Sequence, residues 1–353
     1  MNMLVRRSSA SALITFLLFL VSPVVADDAR LTSCSNTLSL VESSLRSKDL
    51  NALKRRHAET LRQSEHFFED LEARRLINAG DWQSVRATMG KEAHLAYSAQ
   101  TFESWRKASE LAKSTGNSPI TAELLQRIHE RSMEGLPFHG FEGRRLIAKH
   151  ESGEIDAPTL KEQLRQTYTD NANPSGVNHK SLAGRFRWDP LDDIKHNGSS
   201  FTEEGRRYFD SQELEAARQD KQMRVIESSV KEIAPGRFVA DSFYTPPQKV
   251  KQEVERVIER LNQDLDKAQG DHEVILAVAR MQKELIIIHP FLDGNGRTVR
   301  LLRDFVLQRH GFPPPVLLRE QEITLSVSEI ADDIQQGMRL YVEAREVRLR
   351  GGP

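Results

Sequence analysis

The run HPFLDGNGRTVR, residues 289–300, decides how this 353-residue chain is read. Before it lies VILAVARMQKELIII, residues 274–288, almost continuously apolar; after it Val299, Leu301, Leu302, Phe305, Val306 and Leu307 recur at helical spacing. The run is therefore a loop between two buried helices. Gly294, Asn295 and Gly296 are residue types that accept left-handed backbone angles, and successive N–H groups in such a turn form an anion-binding nest. The following helix adds unsatisfied N–H donors and the positive end of its dipole at the same spot. A phosphate fits there. Arg297 and Arg300, three residues apart on that helix, supply forked donors for further phosphates. Asp293 offers a hard oxygen ligand for a magnesium ion that bridges phosphates, and His289 at the other end of the loop is placed to accept a proton from an attacking hydroxyl.

Every fixed position of the run resembles the signature of the Fic family, His-Pro-Phe-x-Asp-Gly-Asn-Gly-Arg-x-x-Arg. The resemblance implies a mostly α fold, with a helical core and a β-hairpin flap, and transfer of AMP from magnesium-bound ATP to a Ser, Thr or Tyr hydroxyl of a target protein. It makes His289 the general base, Asp293 the Mg²⁺ ligand and Gly294, Asn295 and Gly296 the anion hole. Arg297 and Arg300 hold the other phosphates, and Phe291 anchors the loop. Relatives that move UMP or phosphocholine keep a second enzymatic reading open. A nucleotide-binding regulatory protein with little transfer activity is the reading from another class.

From the start of the chain, residues 1–26 have the pattern of a signal peptide, with Arg6 and Arg7 before an apolar core from Ala12 to Val21 and small residues up to Ala26. Export follows as an expectation, with secretion as an effector into a host cell the preferred destination and no stable membrane span once the signal is removed. A formal net charge of -1 gives no sign of a nucleic-acid partner, and a single cysteine excludes an intrachain disulfide framework. Residues 35–115 read as an N-terminal helical region, with Leu50, Leu53, Leu61, Leu71 and Leu76 at helical intervals.

The Fic-type domain is expected over 120–315. Its early helix carries Leu124, Leu125 and His129, the last read as a packing or hydrogen-bonding residue rather than a catalytic one. An insertion around 136–210, rich in glycine, proline and polar residues, follows it. Ser200 to Gly205 also resembles the family's short inhibitory pattern, which would pair Glu204 with Arg300 and block the ATP γ-phosphate; a helix N-cap at Ser200 or Thr202 is the competing reading. Residues 223–230 and 237–244 read as strand, turn, strand, and resemble the flap. There, with Phe238 to Phe243 on the flap, strand addition would hold an extended target segment. Gly311 closes the helix after the signature, and 316–353 supply a last helix, over Glu329 to Val347, and a tail.

Overall fold

The structure is a computed structural model. It describes residues 48–64, 67–77, 91–134, 136, 146, 149–150, 152–169, 183–187, 195–202, 224–225, 231–234, 237–319, 322 and 325–349. The described chain is mostly helical: α1 (Lys48–Arg62), α2 (Phe67–Leu76), α3 (Lys91–Ser114), α4 (Ala122–Ser132), α5 (Ala157–Thr169), strands β1 (Lys195–Thr202), β2 (Arg224–Val225), β3 (Lys231–Ala234) and β4 (Arg237–Phe243), then α6 (Pro247–Lys267), α7 (Asp271–Ile288), α8 (Asn295–Arg309) and α9 (Val327–Leu349). The expected signal peptide lies outside the described residues, among which no helix is long and apolar enough to cross a membrane.

The apolar run before the signature gives α7, buried among its neighbours: α6, α8 and α9 all pack against it. Val274, Ile275, Val278, Leu285 and Ile288 are buried on α7, and Val299, Leu302, Val306 and Leu307 on α8. Their burial on every side explains why neither segment shows a clean polar face in the sequence. In α4 the amphipathic pattern is clear instead, and its start is fixed by Thr121, whose side chain accepts the Leu124 N–H at 3.1 Å. Two prolines open α6, Pro246 as the cap and Pro247 in the first turn, where a missing N–H costs nothing. Gly311 closes α8 in the left-handed region (φ 85°), with the Phe312 N–H returning to the Leu307 carbonyl at 3.0 Å, as the glycine's place in the sequence predicts.

The N-terminal helices are built into the molecule. Leu50 and Leu61 of α1 and Leu71 of α2 share one buried cluster with Val316, Leu318, Leu340 and Tyr341, so α1 packs on α9. At the carbonyl end of α2, where the last C=O groups lack helical partners, Leu317 N–H bonds to Arg74 O at 2.8 Å and Arg303 Nη2 to Arg75 O at 2.9 Å.

The strands depart from the expected two-stranded flap. β4 pairs antiparallel with β1 along one edge and with β2 and β3 along the other, so Phe238 to Phe243 lie on an interior strand with both edges occupied. The expected first strand over 223–230 is described only as the two-residue β2, and β3 at 231–234 forms the closer pair with β4. Lys195–Thr202, read from sequence as part of a polar insertion, is strand β1, with an irregularity between His196 and Ser199. Backbone pairing rather than an apolar face makes it a strand, which is why the polar sequence hid it. Helix α5 also falls within the insertion, its first turn capped by Asp156 Oδ1 accepting Thr159 N–H at 2.8 Å.

Leu61→Ala should lower the unfolding free energy by about 2–5 kcal/mol, the usual cost of a cavity at a fully buried leucine. Urea denaturation measures it. A cost below about 0.5 kcal/mol, the level of a surface substitution, would mean that the N-terminal helices do not support the fold.

Candidate functional site

The chain leaves α7 at His289 and re-enters a helix at Asn295. His289 caps α7 in the left-handed region (φ 51°), the single non-glycine residue with positive φ among the described residues, at a cost of roughly 1–2 kcal/mol. Something must hold it there. Arg187, 1% exposed, donates from Nε to the His289 carbonyl at 2.6 Å and from Nη2 to the carbonyls of Ile288 at 3.0 Å and Thr245 at 2.7 Å. Its own backbone N–H bonds to Pro290 O at 2.8 Å. The imidazole of His289 stacks on the Tyr244 ring, centroids 4.1 Å apart and planes at 21°.

The middle of the loop is held from α4. Phe291 is fully buried and lies flat on the His129 ring, centroids 3.8 Å apart and planes at 9°. Gly184 N–H donates to His129 Nδ1 at 2.8 Å, so the proton of the neutral ring sits on Nε2 and is donated to Asp293 O at 3.0 Å. Burial pushes the His129 pKa down to about 4, against which the hydrogen bond to Asp293 is a smaller effect. His129 is thus the packing and hydrogen-bonding residue that the sequence indicates. Asn295 closes the loop on itself, its Oδ1 accepting Phe291 N–H at 2.8 Å and its Nδ2 donating to Phe291 O at 2.7 Å.

Gly294 caps α8 with φ 70°, and a Cβ there would lie 2.6 Å from Met133 Sδ. Both the backbone angle and the close approach of α4 therefore require glycine. Its N–H donates to Asp293 Oδ1 at 2.7 Å, so this member of the expected nest is engaged within the loop. The first helical hydrogen bond is Thr298 N–H to Gly294 O at 3.0 Å, which leaves the N–H groups of Asn295, Gly296 and Arg297 without a carbonyl inside the helix. Arg297 contacts Met133 Sδ through Nη1 at 3.4 Å, and its buried Nε has no hydrogen-bond partner among the described residues.

Arg300 is placed differently from Arg297. It is 6% exposed and pairs with Glu322, Nε to Oε1 at 3.0 Å and Nη2 to Oε2 at 2.5 Å, while Nη1 donates to Leu76 O at 2.7 Å. Gln282 Nε2 also donates to Glu322. The guanidinium underlies Gly296, where an added Cβ would lie 3.0 Å from Nη1. Glu204 lies outside the described residues. Arg187, His129, Tyr244 and Glu322 surround the signature without belonging to it. Of these, the sequence singled out His129 alone.

The Asp293 carboxylate beside the helix start suits a magnesium ion brought in on a nucleotide, since such an ion takes one or two carboxylates and fills its shell with phosphate oxygens and water.

Two outcomes follow. Arg300→Ala should cost about 3–5 kcal/mol in chemical denaturation, because it leaves Glu322 charged and buried without its partner. Below its unfolded pKa of about 6.5, His129 takes up a proton more readily in the unfolded chain. Its contribution is therefore complete above that pH and lost as pH falls toward 4, on the order of 3 kcal/mol in all. Asp333, pushed up to about 7 by burial, works in the opposite sense over the same window, so the quantity to measure is a difference. The stability gap between wild type and His129→Gln should shrink from pH 7 to pH 4.5; a constant gap would mean that His129 is not held neutral.

Residues 208–307 match the family model described as Fic/DOC family. The chain is 36% identical over 83 residues to a uridine 5'-monophosphate transferase of Xanthomonas campestris, covering 23% of this chain and 16% of that protein. It is 37% identical over 82 residues to protein adenylyltransferase fic-1 of Caenorhabditis elegans, 23% of this chain and 15% of that one. To protein adenylyltransferase Fic of Nematostella vectensis it is 59% identical over 39 residues, 11% and 9%. The chain therefore spans about a sixth or less of the length of these relatives. Among solved structures, Fic-1 (aa134–508) from C. elegans superposes over 97% of this chain and 80% of its own at 15% identity with a TM-score of 0.40. A Fic-domain signalling protein from Bacteroides thetaiotaomicron superposes over 90% and 97% at 13% identity and 0.36. With the signature intact between α7 and α8, inside the stretch that matches the model, the chain carries a domain of the Fic/DOC family.

Proposed function

We propose that the chain is a protein adenylyltransferase, moving AMP from ATP to a hydroxyl of a target protein. The observation that carries this reading is the start of α8. Three backbone N–H groups without helical partners and the Arg297 guanidinium are grouped at one end of a pinned loop, with the His289 imidazole at the other. Such a start binds polyphosphate. The target hydroxyl attacks the α-phosphorus, a new O–P bond forms, the bond to the β-phosphate oxygen breaks and pyrophosphate leaves. The hydroxyl proton passes to His289. The donors of α8 stabilise the charge that builds on the phosphate oxygens. Asp293 would hold magnesium, which neutralises phosphate charge when bound.

An extended target segment would add to an outer strand of the sheet, because both edges of β4 are taken. For Arg300 to reach a phosphate, as the family resemblance implies, its pair with Glu322 must open. The similarity to a uridine 5'-monophosphate transferase favours UMP transfer as a second reading.

Intact-protein mass spectrometry after incubation with magnesium and either ATP or UTP, alone and with a cell extract as the source of targets, tests both readings. Wild type should gain AMP on itself or on an extract protein. His289→Ala should transfer about 10² to 10⁴ times more slowly while binding ATP with similar affinity. A gain from UTP alone would replace AMP by UMP, and full activity in His289→Ala would remove the general base from the mechanism.

A further inference from the structure

We propose that Arg187 is a positioning residue that aims the His289 imidazole, acting together with Tyr244; the inference rests on the reading of His289 as the general base. A helix leaves its last carbonyls without intrahelical partners, and the left-handed turn at His289 satisfies Leu285 O but not the two carbonyls that follow the last turn. In α7 the carbonyls of Ile288 and His289 are in this position, and both are taken by one edge of the Arg187 guanidinium, at 3.0 and 2.6 Å. The same Nη2 reaches across to Thr245 O at 2.7 Å. Thr245 adjoins Tyr244, whose ring lies 4.1 Å from the His289 ring. One planar group thus ties together the two backbone segments that carry the two stacked rings. It fixes the imidazole from its own main chain and from the surface against which it rests.

The chemistry of the guanidinium matters here. Its rigid fork satisfies several carbonyls at fixed angles, whereas an ammonium is a point charge with no preferred plane. Arg187 is also buried, so water cannot take over the orphan carbonyls. It lies 102 residues before His289 and outside the signature, and its guanidinium bonds to Ile288, His289 and Thr245 gather at the α7 end of the loop. Its loss should therefore act on the aim of the base and leave the phosphate site in place.

The test compares full-length wild type, Arg187→Lys and His289→Ala in three measurements: transfer rate with magnesium and ATP, ATP affinity, and the proton chemical shifts of the His289 ring in histidine-labelled protein. In wild type those protons should be ring-current shifted by the stacked Tyr244, and comparison with His289→Ala assigns them. Arg187→Lys should lower kcat about 10- to 100-fold, the scale of a misplacement near 1 Å, with ATP affinity within about twofold of wild type. The His289 ring signals should move while those of His129 stay. A folded Arg187→Lys with unchanged His289 signals, or with a wild-type rate, overturns the proposal. So does a loss of ATP affinity in step with the rate, which would mark general loosening.

Should Arg187→Lys fail to fold, Tyr244→Leu replaces it in the same measurements. A rate about tenfold down at constant ATP affinity, restored in Tyr244→Phe, supports the proposal; a wild-type rate in Tyr244→Leu overturns it. If wild type transfers nothing, the proposed function falls, and the ring shifts alone then decide whether Arg187 places the imidazole.

Discussion

The molecule turns on a break between two buried helices. Ending α7 and starting α8 within six residues exposes carbonyls at one end and N–H groups at the other, in an interior where an unpaired polar group costs several kcal/mol in hydrocarbon-like surroundings. The two ends are resolved in opposite ways. The carbonyls of Ile288 and His289 are covered by Arg187 and the loop is closed by Asn295 and His129. The N–H groups of Asn295, Gly296 and Arg297 are left without a carbonyl inside the helix. The carbonyl end of the break is thus closed by hydrogen bonds, while the donor end begins its helix at Thr298 N–H.

Much of this was legible because particular residue types have few other uses. Gly294 sits at φ 70° against Met133, and Gly311 ends α8 at φ 85°, as their places relative to the apolar runs indicate. The apolar periodicity around the signature gave both flanking helices, and the last helix was placed within two residues at each end. The supporting residues were not legible. Arg187 is one arginine among many in a punctuated polar stretch, and nothing local tells a buried arginine from a solvated one. Glu322 sits in a charged segment after α8, and its pairing with Arg300 is a tertiary fact. The strand at Lys195–Thr202 has no alternating apolar pattern, because its pairing with β4 is a backbone matter.

The side of α8 that faces α2 and Glu322 is unusually ionic for a core. Arg300 with Glu322 and Arg303 with Asp304 are buried pairs, Arg75 reaches Asp304 at 2.8 Å, and the carbonyl end of α2 closes on Arg300 and Arg303. Pairs of this kind contribute little net stability, since desolvation offsets attraction, but removing one member is costly. They resist sliding, as apolar contacts do not. The α2 carbonyls of Arg75 and Leu76 are thereby registered against the helix that carries Arg297, which gives the N-terminal helices a direct mechanical link to the signature.

The loop's supports come from far apart along the chain. His129 lies 164 residues before Asp293, and Arg187 102 residues before His289. Contacts of such long range form only at the entropic cost of closing large loops. In the finished protein the same geometry works in reverse. Beyond the clasp of Asn295 on Phe291, the signature is held by distant segments, so its opening should be tied to the release of α4 and of the segment around Arg187, as one cooperative unit rather than an independent surface loop. A nascent or clipped chain that lacks either support would carry every signature residue in sequence and still not present the site.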